Sequence, residues 1–280
     1  MLIQNQNRKQ TQFFTHSFTN LKSAPFSPEK YSRLKFGSDK VAKEFGYDLA
    51  DSFFKSHGEE LIQEKTVIIP SPFNVVRNAA TVMSEHFMDR LNHLMVSNGG
   101  DNVEWSVINR KVSYINDYGF LDKEKRKKLI DGDVFHLNKG FLEGKKLIFI
   151  DDVCITGTHE DKLIEILDQN KVNNDCYFLY YAKYAKGAVD ANIEAALNFA
   201  GIRDARDYVA LTAEKNHHLI VRPIKFLMSR DPAEFEKVLK DLDYDFIQKL
   251  YYGCLGEGYH KIKEYQINFK YLMWFLGKNK

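Results

Sequence analysis

Residues 147–160, which read LIFIDDVCITGTHE, decide the fold. Four apolar residues lead into the adjacent carboxylates Asp151 and Asp152, and a short Thr/Gly loop then leads into a helical pattern. This order predicts a buried strand, a loop and a helix. Because an unpaired carboxylate is very costly to bury, we expect the strand to present at least one of the two acids at its end.

The loop after the acids has the composition of a phosphate site. Free backbone N–H groups and the positive end of the helix dipole suit an anion at a helix start. Thr156 and Thr158 can add hydroxyl donors, and Gly157 can adopt a positive φ or let the backbone approach closely. Since carboxylates accept hydrogen bonds from vicinal hydroxyls, the pattern indicates a ligand with both a sugar and a phosphate, such as a 5-phosphoribosyl group.

The same strand, loop and helix order occurs upstream. Residues 66–69 form a β-branched run that ends at Pro70-Ser71-Pro72, and a helical segment follows from about residue 74 to residue 94. An amphipathic helix is predicted over residues 38–54, with Ser38 or Asp39 as its N-cap.

Two further strands are predicted, over residues 103–108 and 176–181, and Leu163, Ile164 and Leu167 mark the buried stripe of the helix after the acids. Strands that alternate with helices predict an α/β fold with a twisted, mostly parallel sheet flanked by helices. Such sheets bind ligands at the carboxyl ends of their strands, where both loops lie.

The chain of 280 residues is long enough for one domain with an appendage or for two small domains. We expect a polar N-terminal segment over residues 1–30, loosely ordered or lying over the surface, and an α/β domain over residues 31–190. Residues 191–280 are predicted to be mainly helical, with one helix starting at the N-cap Asp231 and Pro232. The aromatic residues near the C-terminus indicate a packing surface, and a homodimer is consistent with them.

Composition excludes several classes of function. A formal net charge of +2 gives no reason to expect nucleic acid or a membrane surface, and the basic run at residues 123–128 is typical of a solvated helix face. The three cysteines have no metal-like spacing, and no signal peptide or membrane-spanning run is evident, so a soluble cytoplasmic protein is expected.

The motif around the acids resembles the phosphoribosyl-pyrophosphate (PRPP) signature of the type I phosphoribosyltransferases: an apolar run, two acids, two variable positions and a Thr/Gly/Thr loop. Residues 67–72 occupy the place of that family's pyrophosphate loop. Residues 31–37 are similar to the competence-associated, ComF-like branch. So is the stretch that begins at Asn109-Arg110-Lys111 and continues through Tyr118 and Arg126 to residues 144–146, since that branch carries basic residues on a mobile loop here. The likeness covers roughly residues 30 to 185.

The resemblance implies a role for each part of the motif. The ribose hydroxyls would be bound by Asp151 and Asp152, which could also contact Mg²⁺ through water. The 5′-phosphate would be held by Ile155, Thr156, Gly157, Thr158 and His159. Pyrophosphate would be contacted by Ser71, Pro72, Phe73 and Asn74, with Arg110 and Lys111 closing over it.

The implied activity is Mg²⁺-dependent transfer of the 5-phosphoribosyl group from PRPP to an unidentified acceptor, with release of pyrophosphate. The alternative is a non-catalytic regulatory or adaptor protein that senses PRPP or a nucleotide on the same fold. A third hypothesis is that the C-terminal region is an adaptor and that the fold is inherited without ligand binding.

Some positions depart from the family pattern or allow two interpretations. Ile155 stands where purine-salvage members carry an Asp, and the prolines at 70 and 72 lack N–H donors. His159 is either a general acid or phosphate contact, or a surface residue. Arg77 could face an anion or solvent. Cys154 is interpreted as a small buried side chain rather than a nucleophile, and the adjacent pair His217-His218 is not expected to bind metal.

Overall fold

The computed structural model describes residues 8–111, 134–185 and 192–278. Its strands are β1 (Gln10–Phe18), β2 (Thr66–Pro70), β3 (Glu104–Trp105), β4 (Asn109–Lys111), β5 (Val134–His136), β6 (Lys146–Cys154) and β7 (Cys176–Tyr184). The helices are α1 (Pro28–Lys35), α2 (Asp39–Leu61), α3 (Ala79–Ser97), α4 (Lys139–Leu142), α5 (Thr158–Gln169), α6 (Ile193–Asn198), α7 (Ala205–Thr212), α8 (Val221–Met228), α9 (Pro232–Asp241), α10 (Tyr244–Gly256) and α11 (Gln266–Lys278). Short 3₁₀ turns lie at Tyr259–Lys261 and Lys263–Tyr265.

The main sheet is parallel and has the strand order β1-β7-β6-β2-β3. Its central strands are buried on both faces, as their continuous apolar sequences predict. Ile148 and Ile150 of β6 point toward the core formed with α2 and α3, whereas Leu147 and Phe149 point toward α5. The predicted α/β fold with helices on both faces of a mostly parallel sheet is therefore confirmed.

The first strand was not predicted. Residues 10–18 were expected to be loosely ordered or to lie over the surface, but they pair in parallel with β7, from Gln10 beside Cys176 to Phe18 beside Tyr184. Strand β1 lies at the edge of the sheet, so most of its side chains are exposed or half-buried, and only Phe18 is buried. A polar sequence is compatible with an edge strand because one side of the strand faces solvent.

Several element boundaries follow from local capping. The Ser38 hydroxyl accepts a hydrogen bond from the Val41 N–H, so α2 begins where the sequence predicts. Helix α3 begins later than predicted, because the side chain of Asn78 caps the N–H of Thr81 and residues 74–78 form an irregular loop. The predicted strand over residues 103–108 is reduced to Glu104–Trp105.

The C-terminal helices form a core of their own. Phe36, at the end of α1, inserts into this core, where its ring centroid lies 5.1 Å from that of Phe226 and 5.7 Å from that of Tyr208. Asp231 caps α9 as expected, through a hydrogen bond from the Ala233 N–H. None of the helices in the described part of the chain has the length and apolar character needed to cross a membrane.

Candidate functional site

Asp151 and Asp152 lie at the carboxyl end of β6 and point to opposite faces of the sheet, as successive strand residues do. Asp152 is only 4% exposed and accepts hydrogen bonds from the Tyr31 hydroxyl at 2.8 Å and from Lys35 Nζ at 2.5 Å. Its Oδ1 also accepts from the Val153 N–H at 2.8 Å. Asp152 is thus a buried carboxylate whose charge is balanced by the end of α1.

Asp151 has a different partner. Its Oδ2 lies 2.9 Å from His159 Nδ1, and an ionised carboxylate only accepts, so His159 donates this hydrogen bond. Burial alone would raise the pKa of Asp151, but the hydrogen bond and charge of His159, together with the charge of Lys35, hold the pKa of this carboxyl below its usual value. Asp151 is therefore ionised at neutral pH.

Tyr31 is a fixed donor in this arrangement. Burial, then the charge of Asp152 and its hydrogen bond, raises the pKa of Tyr31 well above its usual value. The phenol therefore keeps its proton and continues to donate to Asp152.

The loop between β6 and α5 has the geometry expected of an anion site. Gly157 adopts a left-handed conformation, with a φ of 75°, at the N-cap of α5, and no side chain caps the helix there. Apart from its chain neighbours and the backbone of α5, no heavy atom of the described residues lies within 4 Å of where a Cβ of Gly157 would be. The hydroxyl oxygens of Thr156 and Thr158 lie 2.8 Å apart and fix the loop.

Two cavities meet at the acids. The first, with about 570 Å³ of empty space including its solvent-open part, is called the loop cavity and is lined by Tyr31, Lys35, residues 151–160, Tyr180 and Glu194. Within it, Glu160 accepts hydrogen bonds from the Tyr180 hydroxyl at 2.7 Å and from Gln12 Nε2.

The second cavity has about 870 Å³ of empty space including its solvent-open part. It is called the basic cavity because four cationic side chains line it, Lys35, Arg110, Arg222 and Lys225. Both cavities share Lys35, Asp151, Asp152 and His159. The basic cavity is also lined by Ser71, Pro72, Phe73, Asn74, Val76, Asn78, Ala79, Ile220, Val221, Glu257 and Tyr259.

The loop after β2 uses much of its own donor capacity. The Ser71 N–H donates to the Ile150 carbonyl at 2.8 Å, and Pro72 has no N–H. The N–H groups of Val75 and Val76 donate to Glu257 Oε1 at 3.0 and 2.7 Å. Only part of this loop can therefore offer amides to a ligand.

The structure brings the predicted residues of both loops to one end of the sheet. Arg110 lies in β4, beside the loop after β2, where its N–H donates to the Phe73 carbonyl at 2.9 Å. Lys111 follows it in β4, opposite Val134 of β5. Tyr118, Arg126 and the basic run at residues 123–128 lie outside the described residues.

The structure shows the partners or the burial of Arg77, His217 and Cys154. Arg77 pairs with Glu85 and contacts His218 Nδ1, so its side chain is not surrounded by solvent alone. It lines neither of the two cavities. His217 Nε2 bonds the Phe36 carbonyl. Cys154 is buried, and burial raises the pKa of its thiol to about 11, which disfavours a nucleophilic thiolate.

His218 and His159 both bond carboxylates. His218 Nε2 bonds Asp39 at 2.8 Å, so each member of the adjacent histidine pair has a partner within the fold. His159 lines both cavities although its side chain is 44% exposed, so it is a surface residue that also belongs to the site.

Sequence reasoning did not assign roles to several side chains that the fold brings to the site. Lys35 occurs in the stretch around the first helix, but nothing local links it to an acid more than a hundred residues away. Arg222, Lys225, Glu257 and Tyr259 come from the C-terminal region. The spacing of Arg222 and Lys225 could have indicated these two residues, because cations three residues apart lie on the same side of a helix.

Comparisons with solved structures and with curated proteins do not by themselves identify the family. Two crystal structures of a hypoxanthine phosphoribosyltransferase from Staphylococcus aureus are similar at 12% and 10% identity, with TM-scores of 0.35 and 0.34. Each covers 52% of this chain and 75% or 76% of the other, and at such TM-scores neither likeness establishes a shared activity. Among curated proteins, no relative matches the sequence.

The family model is the informative match. The model described as PRTase ComF-like matches residues 10–272, so the similarity extends over the edge strand β1 and the C-terminal helices, well beyond the residues 30 to 185 expected from the motifs. Since this match spans most of the chain, the protein belongs to the ComF-like phosphoribosyltransferase (PRTase) family.

Proposed function

We propose that the protein binds PRPP and transfers its 5-phosphoribosyl group to an acceptor, with release of pyrophosphate. The observation that carries this proposal is the position of Asp151 and Asp152, which line both the loop cavity and the basic cavity. PRPP has the same three-part order: a 5′-phosphate, a ribose with neighbouring hydroxyls and a diphosphate on C1. Family membership supports the same assignment.

The 5′-phosphate would lie at the start of α5. The open left-handed turn at Gly157 leaves the helix N-terminus facing the loop cavity, and backbone amides with a positive dipole end favour a phosphate there. The hydroxyls of Thr156 and Thr158 can add donors.

The ribose hydroxyls would donate to the acids. Asp151 is ionised, and described residues use two of its acceptor positions, through His159 and the Asp152 N–H. Asp152 offers fewer sites: of about four acceptor positions on a carboxylate, described residues use three. We therefore expect Asp151 to make the closer contact with the sugar. Asp152 is expected to hold Tyr31 and Lys35 in place beside it.

In the reaction, a lone pair of the acceptor forms the new bond to C1 as the bond from C1 to the diphosphate oxygen breaks. The electron pair of the broken bond leaves with pyrophosphate. Preorganised positive charge at the leaving group lowers the barrier because it costs no reorganisation during the reaction. The cations of the basic cavity are placed to supply that charge.

Mg²⁺ fits this site as a partner of the substrate. In the ranges that the structure describes, no three His, Cys, Asp or Glu side chains gather to hold a metal ion. Mg²⁺ keeps several waters and is usually bound by one or two carboxylates plus substrate phosphates. Asp151 would hold it through water, together with the oxygens of PRPP.

The test is pyrophosphate release from PRPP in the presence of Mg²⁺ and a panel of nitrogen nucleophiles. We expect Asp151→Asn and Asp152→Asn to reduce release at least about 100-fold, which corresponds to roughly 2.7 kcal/mol of transition-state stabilisation. Asp101→Asn, at an exposed position outside both cavities, is the matched control and should behave like the wild type. Equal activity in all three variants would contradict the proposal.

A second candidate is a protein that binds PRPP without turning it over. It is favoured by the loop after β2, whose amides are partly used by Glu257 and partly absent at Pro72. Calorimetry separates the two functions. Binding of PRPP with no pyrophosphate release from any acceptor would support the sensor, and failure to bind either PRPP or ribose 5-phosphate would contradict both.

A further inference from the structure

The C-terminal helices close one wall of the basic cavity. Helix α8 contributes Arg222 and Lys225, which are three residues apart and therefore lie on the same side of the helix. The loop after β2 and Arg110 of β4 also line this cavity. The cations of this cavity thus come from segments far apart in sequence.

The carboxylate of Glu257 binds the loop after β2 at the backbone amides where a ligand anion could otherwise bind. Its Oε1 accepts from the Val75 and Val76 N–H groups, and its Oε2 lies 3.3 Å from Asn74 Nδ2. These are the donors that a phosphate group would use at such a loop. Because a carboxylate of the protein occupies them, a diphosphate in this cavity needs other donors.

Glycines allow the close approach that places Glu257 there. A Cβ on Gly256 would lie 2.7 Å from Val75 Cγ1, and one on Gly253 would lie 2.7 Å from Ile224 Cδ1. The end of α10 therefore packs directly on both the loop after β2 and α8. This packing fixes the distance between the cations of α8 and the loop.

The cations of the basic cavity lie near two buried tyrosines of the site. Lys225 Nζ lies 5.9 Å from the ring centroid of the buried Tyr259. The charge of Arg110 also acts on Tyr259, and the charge of Arg222 acts on the Tyr31 hydroxyl that donates to Asp152. Arg222 therefore lies near Tyr31, which donates to Asp152, and Lys225 and Arg110 lie near Tyr259.

We propose that Arg222 and Lys225 of the C-terminal helical region, together with Arg110, bind the diphosphate group of PRPP, in place of the loop amides that Glu257 occupies. This inference rests on the proposed function for the identity of the ligand. The C-terminal region is then part of the substrate site, because it carries cations that the α/β sheet and its loops do not supply.

The test compares three ligands on the full chain by calorimetry in the presence of Mg²⁺: ribose 5-phosphate, inorganic pyrophosphate and PRPP. Charge-assisted hydrogen bonds contribute about 1.5–3 kcal/mol each, so the double variant Arg222→Gln/Lys225→Gln should lose about 100-fold or more in affinity for pyrophosphate and PRPP. Its affinity for ribose 5-phosphate should stay within about twofold, since that ligand lacks the diphosphate.

Two sets of controls accompany the double variant. Lys237→Gln/Lys249→Gln removes the same charge from exposed positions of the same region and should leave all three affinities unchanged. Arg222→Lys/Lys225→Arg keeps both charges and should retain at least a tenth of the wild-type affinity, which shows that loss in the first variant does not come from misfolding.

Glu257→Gln tests the other half of the inference. The glutamine Oε1 can still accept from the loop amides, but the negative charge in the wall is removed. We expect pyrophosphate to bind about three- to tenfold more tightly, because a like charge near the ligand is lost. Unchanged or weaker binding would contradict the role given to Glu257.

The outcomes separate the inference from the proposed function. Wild-type binding of ribose 5-phosphate with unchanged pyrophosphate affinity in the double variant overturns the inference and leaves the proposed function in place. Pyrophosphate binding that depends on Arg222 and Lys225, without any binding of ribose 5-phosphate or PRPP, keeps a diphosphate site but contradicts the proposed function. If none of the three ligands binds, both are wrong.

Discussion

The buried carboxylate of Asp152 depends on Lys35. The side chains of the pair are 5% and 18% exposed, and Tyr31 provides a second hydrogen bond but no charge. Removing one member of a buried ion pair leaves an uncompensated charge, which costs more than the pair itself contributes. Lys35 thus stabilises the folded site as well as lining both cavities.

Lys35→Met should therefore lower the free energy of unfolding by about 3 kcal/mol in urea denaturation at pH 7. The matched control is Lys30→Met on the same helix, where the ion pair with Glu44 has side chains that are 48% and 45% exposed. Exposed pairs contribute less than about 1 kcal/mol, so the control should lose little. Equal losses in the two variants would show that Asp152 does not need Lys35.

The residues that sequence reasoning identified are those with a local signature. The acids and the Thr/Gly loop are contiguous and follow an apolar run, so the strand and the loop could be predicted together. The Lys35–Asp152 pair joins residues 117 apart, and the contact of Glu257 with the Val76 N–H joins residues 181 apart. Such pairs depend on how the elements pack, and no local pattern encodes them.

Gly157 determines how α5 begins. Its φ of 75° is left-handed, and an L side chain in that region costs about 1–2 kcal/mol. Since open space surrounds its Cβ position, Gly157→Ala tests the backbone conformation and not a steric clash.

We expect Gly157→Ala to lower the free energy of unfolding by about 1–2 kcal/mol and to weaken ribose 5-phosphate binding, because the turn that presents the amides is strained. Gly140→Ala is the control, as its Cβ would meet nothing closer than 3.9 Å and its φ is not in the left-handed range. A ribose 5-phosphate affinity unchanged in Gly157→Ala would contradict the placement of the phosphate at this turn.

Helix α10 can pack closely against the loop after β2 because residue 256 is a glycine and has no side chain. Gly256→Ala should push the helix away from Val75 and lower the free energy of unfolding by about 1–3 kcal/mol, as overpacking does. Gly277→Ala, inside α11 with open space around it, should be neutral or stabilise by up to about 1 kcal/mol. Urea denaturation of both variants measures the difference.

The edge strand β1 shows where sequence patterns fail at the scale of an element. Its alternation of half-buried and exposed residues is present, but Phe14 is exposed and His16 is half-buried, so polar and apolar residues do not separate onto two faces. The central strands, with continuous apolar runs, could be predicted because burial on both faces leaves little choice of composition.

At the scale of the whole molecule, His217 links the C-terminal region to the end of α1. It is half-buried and bonds the Phe36 carbonyl, and the desolvation that accompanies this burial lowers the pKa of its imidazole. The folded state therefore favours neutral His217, and the unfolded state binds more protons once the pH falls below about 6.5. The stabilisation is fully present above that pH and is lost as the pH decreases toward the lower, folded-state pKa.

The free energy of unfolding should thus fall as the pH decreases from 6.5 to 5.5, by up to about 1.4 kcal/mol per pH unit from this group. The carboxyl pKa values of Asp39 and Glu214 are lowered by hydrogen bonds that outweigh burial, so their contribution is lost mainly below this window. His217→Gln keeps a donor for the carbonyl and should flatten the pH dependence between 6.5 and 5.5. A profile as steep as that of the wild type would contradict the assignment.

The pairing of β1 with β7 has a consequence for biosynthesis. The Lys9 N–H donates to Asp175 Oδ1, a contact across 166 residues, and the whole of β1 pairs with a strand made long after it. At about 5–20 residues per second, roughly 8–30 s pass between the synthesis of β1 and that of its partner strand β7. During that time an unpaired strand can associate with other chains, so the nascent protein should depend on chaperones until Tyr184 has left the exit tunnel.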